Sequence, residues 1–208
     1  MTLVRDFFIG LSQNQVLNSA AKKYGLKLGA QHVVAGTNVA ETIESIKKLN
    51  AQGISCTVDN LGEFVFEKEE ALEAKRSILE VIEAIHTHEV DAHISLKPSQ
   101  IGLDIEHEFC YENLKEIVAK AKSYNIFVNF DMEDEARLQP SFDILKTLSK
   151  EYNNIGTVIQ AYFYRAEDDI QEFKDFRLRI VKGAYKESPE VAYQDKQDID
   201  QNYIKLIE

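Results

Sequence analysis

The sequence predicts an α/β fold of the (β/α)8 TIM-barrel type, incomplete, with about five strand–helix units behind N-terminal helices. Three observations carry this. Short apolar runs recur at Ile54 to Asp59, Ala92 to Lys97, Ile126 to Asp131, Thr157 to Ala161 and Leu178 to Lys182, separated by amphipathic segments. Strands buried on both faces read as such runs, and their alternation with helices makes a parallel sheet. The runs end in polar groups: Asp59 and Asn60, Ser95 and Lys97, Asn129 and Asp131, Gln160, then Arg179 and Lys182. Polar residues at successive C-terminal strand ends are how a barrel builds its active site. No glycine-rich fingerprint follows the first run, as it would in a dinucleotide-binding open sheet.

The N-terminal region, residues 1–52, reads as helical, with segments near Gln13 to Lys23 and Ala40 to Ala51 punctuated by Gly25, Gly29 and Gly36. The barrel occupies residues 53–208. Its clearest helix runs from about Glu69 to His86, where Ala71, Ala74, Ile78, Val81, Ile82 and Ile85 form one apolar stripe. Acid at its start and histidine at its end suit the helix dipole. Further helices are predicted near Tyr111 to Lys122, Ser141 to Glu151 and Glu167 to Phe173, and over Lys196 to Glu208. A complete barrel has eight strands and about 250 residues, so five strands predict truncation at the C-terminus. The last helix ends on an apolar pair with no glycine cap, which points the same way.

Composition bounds the function. With 208 residues, 44% of them hydrophobic, and three prolines, the chain can bury one substantial core. A net charge of -11 without a basic cluster argues against nucleic-acid binding. Cys56, in a strand, and Cys110, before a helix, have neither disulfide nor metal-site spacing and imply a reducing compartment. The apolar start, Met1 to Gly10, is too short to span a membrane and has no cationic leader, so the expected location is cytoplasmic.

The run Phe176 to Tyr185 carries the most chemistry. Alternate residues of a strand share a face, so Arg177, Arg179 and Val181 point one way and Leu178, Ile180 and Lys182 the other. Two arginines side by side within a fold call for an anionic or electron-rich partner. Gly183 then permits close approach of a ligand to the backbone.

Together, Asp59-Asn60-Leu61-Gly62-Glu63, Ser95-Leu96-Lys97, Asn129-Phe130-Asp131-Met132-Glu133, Gln160-Ala161-Tyr162 and Arg179-Ile180-Val181-Lys182-Gly183-Ala184-Tyr185 resemble, in order and spacing, the flavin-dependent proline dehydrogenases, most closely a monofunctional bacterial form. The resemblance implies oxidation of L-proline to 1-pyrroline-5-carboxylate, the first step of proline catabolism, with FAD accepting hydride at its N5. A membrane quinone would take the electrons, with peripheral association at the membrane's inner face. Position by position, it implies that Lys97 binds the substrate carboxylate and that Arg179 lies beside flavin N5. Asp131 is the acid ending the third strand, and the backbone of Met132 approaches the flavin. Gln160 bonds the flavin's pyrimidine edge, Val181, Lys182, Gly183 and Ala184 line the cofactor, and Tyr185 packs against substrate. Glu63 matches a gate glutamate whose arginine partner sits on the family's eighth helix. That helix is not in this sequence, nor are the family's threonine-histidine pair for the cofactor and the tyrosine and paired arginines that grip the carboxylate. Losing one charge-assisted pair lowers affinity by roughly two orders of magnitude, so the isolated chain is expected to be a poor enzyme.

Each residue also has a plainer reading: Lys97 as a solvated lysine, Arg179 as a structural salt bridge, Asp131 as a carboxylate neutralising either cation, Gln160 as a strand cap, Tyr185 as core. Arg177 is the expected structural partner of an acid. His86 and His88 do not share a helix face and read as surface residues, while His93 is either interior or facing the site. Glu133-Asp134-Glu135 reads as a solvated turn, and no metal site is expected. Two other functions fit the pattern. One is a Schiff-base lyase or aldolase with Lys97 as nucleophile; the other is a non-catalytic product that self-associates through open sheet edges.

Overall fold

The computed structural model describes residues 34–208; the expected helix at Gln13 to Lys23 lies outside the described residues. Five strands, β1 (Cys56–Asp59), β2 (Ala92–Leu96), β3 (Val128–Phe130), β4 (Ile155–Gln160) and β5 (Arg177–Val181), form one sheet in chain order. All four pairings are parallel. A doubly wound sheet reverses its strand order at a switch point. This sheet has no reversal and curls one way as a half-barrel.

The helices are α1 (Val39–Asn50), α2 (Lys68–Thr87), α3 (His107–Ser123), α4 (Glu135–Ser149), α5 (Ala166–Glu172) and α6 (Lys196–Ile207), with a 3-10 turn at Pro98–Ile101 after β2. They pack on the convex side of the sheet. There Ile94 and Leu96 of β2, Val128 and Phe130 of β3, and Ile155 and Ile159 of β4 form a core with Ile78, Ile82 and Ile85 of α2, Leu114 and Ile117 of α3, and Phe142 and Leu145 of α4. The apolar stripe of α2 is buried at Ala71, Ile78, Ile82 and Ile85, as its spacing predicts. By contrast α6 buries none of its residues. It rests half-buried Ile199 and Leu206 against the core and adds polar contacts, with Asn202 Nδ2 donating to the Ala161 carbonyl at 2.7 Å and Lys182 pairing with Asp200 at 2.6 Å.

Several boundaries differ from expectation, three of them for visible reasons. Helix α4 starts at Glu135 rather than Ser141 and carries Pro140 inside it. Proline there forfeits one bond, to the carbonyl four residues back, while Arg137, paired with Asp134 at 2.6 Å and Asp104 at 2.9 Å, fastens the first turn. Helix α3 starts a turn before Tyr111, so Cys110 lies inside it, with Sγ donating to the Pro98 carbonyl at 3.5 Å. Only three residues of the third apolar run pair as strand, because Asn125 turns the chain with φ +57° and the Ile126 N–H donates back to Ala121.

Candidate active site

The register of the sheet decides which polar side chains meet. Thr57 lies beside His93, Asp59 beside Ser95, Ser95 beside Asn129, Asn129 beside Gly156, Val158 beside Arg179 and Gln160 beside Val181. Side chains alternate along each strand, so these residues share the concave face, with Asp59, Lys97, Asp131, Gln160 and Arg179 at its C-terminal rim. Gly156 is small for a reason: a Cβ there would sit 2.3 Å from the Arg177 carbonyl oxygen, preventing β5 from closing on β4.

Asp131 is the centre of the rim. Its Oδ1 accepts from Arg179 Nη2 at 2.6 Å, from Ser95 Oγ at 2.7 Å and from Asn129 Nδ2 at 2.8 Å. Three strands therefore aim donors at one oxygen, which fixes the guanidinium while leaving the Arg179 side chain 49% exposed. Of the two cations that the plainer reading offered Asp131, it pairs with Arg179. Lys97 pairs instead with Asp59, Nζ to Oδ2 at 3.4 Å. The other oxygen of Asp59, Oδ1, is buried and has no hydrogen-bond partner among the described residues. Burial, and then the neighbouring Asp131 charge, push the Asp59 carboxyl up against the pull of Lys97. In the sequence Asp59 stood as a strand end and as the first residue of a family-like motif, with no role of its own assigned.

Among the described residues Arg177 pairs with no acid. Its guanidinium lies 4.7 Å from the centre of the Phe127 ring, an electron-rich partner of the other kind that the sequence allowed. His93 stands on the same face, its Nε2 2.9 Å from Thr57 Oγ1 and its ring edge-on to Phe127. Burial, followed by the charges of Arg177 and Arg179, lowers its pKa. An unfolded histidine takes its proton near pH 6.5, where the folded protein still refuses one. Stability should therefore decline as pH falls from about 6.5 through the folded value. In a proton NMR titration the His93 ring should show a midpoint below the ordinary histidine value of about 6.5, and Arg177→Gln should raise it.

Gln160 is buried, its Nε2 donating to the Glu133 carbonyl at 2.7 Å, which fixes the direction of the amide. Met132 is also buried. Beyond β5 the pairing continues, with Ala161 N–H donating to the Val181 carbonyl at 2.7 Å and Tyr162 N–H to that of Lys182 at 3.0 Å. Gly183 has φ +116°, and a Cβ would meet the Tyr162 ring at 2.4 Å. The close approach it permits is thus an internal one, to an aromatic ring. The Lys182 side chain turns to Asp200 of α6, so the rim receives its backbone. Tyr185 is half-buried, not core, and its hydroxyl donates to Glu63 Oε2 at 3.1 Å.

Glu63 sits on the β1–α2 loop, between Gly62, packed on Gln100, and Phe64, at φ +55°. Glu133 corrects the expectation of a solvated turn. It is 1% exposed, and its carboxylate accepts the N–H of Ser99 at 3.0 Å and the Ser99 hydroxyl. Burial raises its pKa. Both thiols are buried, and burial pushes them up, as befits structural cysteines. His86 stacks on Tyr124 at 3.8 Å. No group of acids, histidines and cysteines suited to a metal occurs among the described residues.

The model of the proline dehydrogenase family matches residues 42–208. The chain belongs to that family. It is 43% identical over 209 residues to proline dehydrogenase 2 of Bacillus subtilis subsp. natto, covering 100% of this chain and 69% of the relative. To the proline dehydrogenase of Deinococcus radiodurans it is 36% identical over 185 residues, covering 86% of this chain and 60% of the relative. The fold matches that of proline utilization A (PutA) from Bdellovibrio bacteriovorus, inactivated by N-propargylglycine, with a TM-score of 0.78 and 22% identity over 91% of this chain. The chain thus spans about two thirds of the Bacillus relative and 25% of that PutA chain.

Proposed function

We propose that the rim of the half-barrel is the substrate and flavin end of an FAD-dependent L-proline dehydrogenase, which oxidises L-proline to 1-pyrroline-5-carboxylate. The observation that carries this is the Asp131–Arg179 pair, a permanent cation held by three strands at the rim in a chain of this family. FAD suits the residues present. Gln160 is a directed neutral amide, Lys182 to Ala184 are exposed residues, and Arg179 offers a half-exposed guanidinium. Val181, Lys182, Gly183 and Ala184 would line the cofactor, with Gln160 at its pyrimidine edge and the Met132 backbone beside it. When bound, FAD supplies an acceptor for the hydride that leaves proline.

The protein's own groups supply the rest. Arg179 offers fixed positive charge where negative charge develops, at no cost of reorganisation, and Asp131 orients it. Lys97 is the ammonium for the substrate carboxylate. As an ion-paired ammonium it is poorly suited to Schiff-base chemistry, whose nucleophile is the free amine. Tyr185 and Glu63, already bonded to each other, close over substrate. Residues 53–208 then form the catalytic half-barrel, with 1–52 leading into it.

A membrane quinone as electron acceptor, reached by peripheral association, belongs to the same reading; among the described residues no helix is long and apolar enough to cross a membrane. Self-association through the outer edges of β1 and β5 also belongs to it, since each has one neighbour among the described residues.

Two experiments test the proposal. With FAD-loaded protein and L-proline, o-aminobenzaldehyde should trap 1-pyrroline-5-carboxylate, and none with D-proline; equal signals from both would overturn it. Separately, Lys97→Met should weaken L-proline binding by about ten- to a hundredfold while flavin affinity holds, as read by equilibrium titration. Unchanged proline affinity would remove Lys97 from the site.

A further inference from the structure

The β1–α2 loop that carries Glu63 has little of its own to hold it. Leu61 is 75% and Phe66 64% exposed, and Phe64 has the left-handed φ of +55°, which a bulky residue keeps only when its surroundings impose it. The surroundings here are largely the 3-10 turn after β2. The Phe64 N–H donates to Ser99 Oγ at 2.9 Å and the Val65 N–H to the Ser99 carbonyl at 3.2 Å. Gln100 Nε2 donates to the Asn60 carbonyl at 2.8 Å. Arg137 covers the Phe64 ring at 4.5 Å.

Ser99 is itself held from the other side. Its hydroxyl accepts from Phe64 and donates to Glu133 Oε1, while its N–H donates to Glu133 Oε2. A hydroxyl that must accept on one side needs an acceptor for its own proton on the other, and the buried Glu133 carboxylate provides it. The Glu133 main chain also receives Gln160. One buried residue therefore joins the loop after β1, the turn after β2, the segment after β3 and the end of β4.

We infer that Ser99 and Glu133 are positioning residues, which act through the Phe64 amide to hold the β1–α2 loop where Glu63 meets Tyr185. The part of this inference that concerns substrate rests on the proposed reading of Glu63 as the closure over proline. The part that concerns the loop does not.

Amide hydrogen exchange read by NMR tests the loop directly. In Ser99→Ala the Phe64 amide should exchange about tenfold faster or more, since a bond to a buried partner is lost, while core amides such as Val158 keep their rates. Glu133→Gln, which keeps volume, should loosen the same amide and serves if Ser99→Ala fails to fold. Unchanged Phe64 exchange in a folded variant would overturn the inference.

A double-mutant cycle on L-proline affinity tests the route. Ser99→Ala should weaken binding about tenfold, and adding it to Glu63→Ala should cost little more, because both act through one carboxylate. Full additivity would mean that Ser99 does not act through Glu63. If the parent protein binds no proline, the functional reading fails and the exchange result still decides the loop.

Discussion

Replacing Arg179 by methionine is expected to slow reduction of bound flavin by L-proline about a hundredfold or more, with little change in stability. The rate should fall because preorganised charge at a reacting centre is worth roughly two to three orders of magnitude when removed. The fold should survive because the side chain is half exposed, so its pair with Asp131 contributes little, about 1 kcal/mol or less. Asp131 also keeps two other donors, Ser95 and Asn129. Anaerobic stopped-flow at the flavin bands gives the rate, and urea denaturation gives the stability. Normal reduction kinetics in the methionine variant would remove Arg179 from the chemistry.

Phe130→Ala should act in the opposite manner, through the fold. Phe130 is fully buried on the convex side of β3, in register with Leu96 on one side and Thr157 on the other. Its carbonyl accepts the Thr157 hydroxyl at 3.2 Å, and the next residue donates its N–H to the Leu96 carbonyl at 2.8 Å. Removing a buried phenyl ring costs about 3–5 kcal/mol, a large share of the roughly 5–15 kcal/mol of a typical domain. The urea midpoint should fall accordingly, while Leu61→Ala, on an exposed loop, should leave it within about 0.5 kcal/mol. A Phe130→Ala variant as stable as its parent would mean that β3 is not centrally packed.

The strands were legible because an apolar run that stops at a charged residue marks both the strand and its rim end. Asp131, Lys97 and Arg179 could be named from that pattern together with the motif resemblance. Who pairs with whom was not legible, because partners are set by register between strands far apart in sequence. Asp59 takes Lys97, and Phe127, rather than an acid, takes Arg177. Glu133 read as solvated because three consecutive acids normally are, and its burial depends on Ser99, 34 residues earlier. The start of α4 was hidden by Pro140, which marks a helix start in the first turn and breaks a helix elsewhere. Gly183 was recognised as a close-approach glycine, but only the fold shows that Tyr162 is what approaches.

The decisive measurement is anaerobic. FAD is added to the purified chain, unbound excess is removed, and L-proline is titrated while the visible flavin bands are followed. Flavin retained by the protein, with bands that bleach slowly under excess L-proline, is the expected result; retained flavin that never bleaches would leave the rim a cofactor site without its substrate. A chain that emerges from the column without flavin would contradict the assignment of Gln160, Arg179 and the Val181 to Ala184 segment to the cofactor.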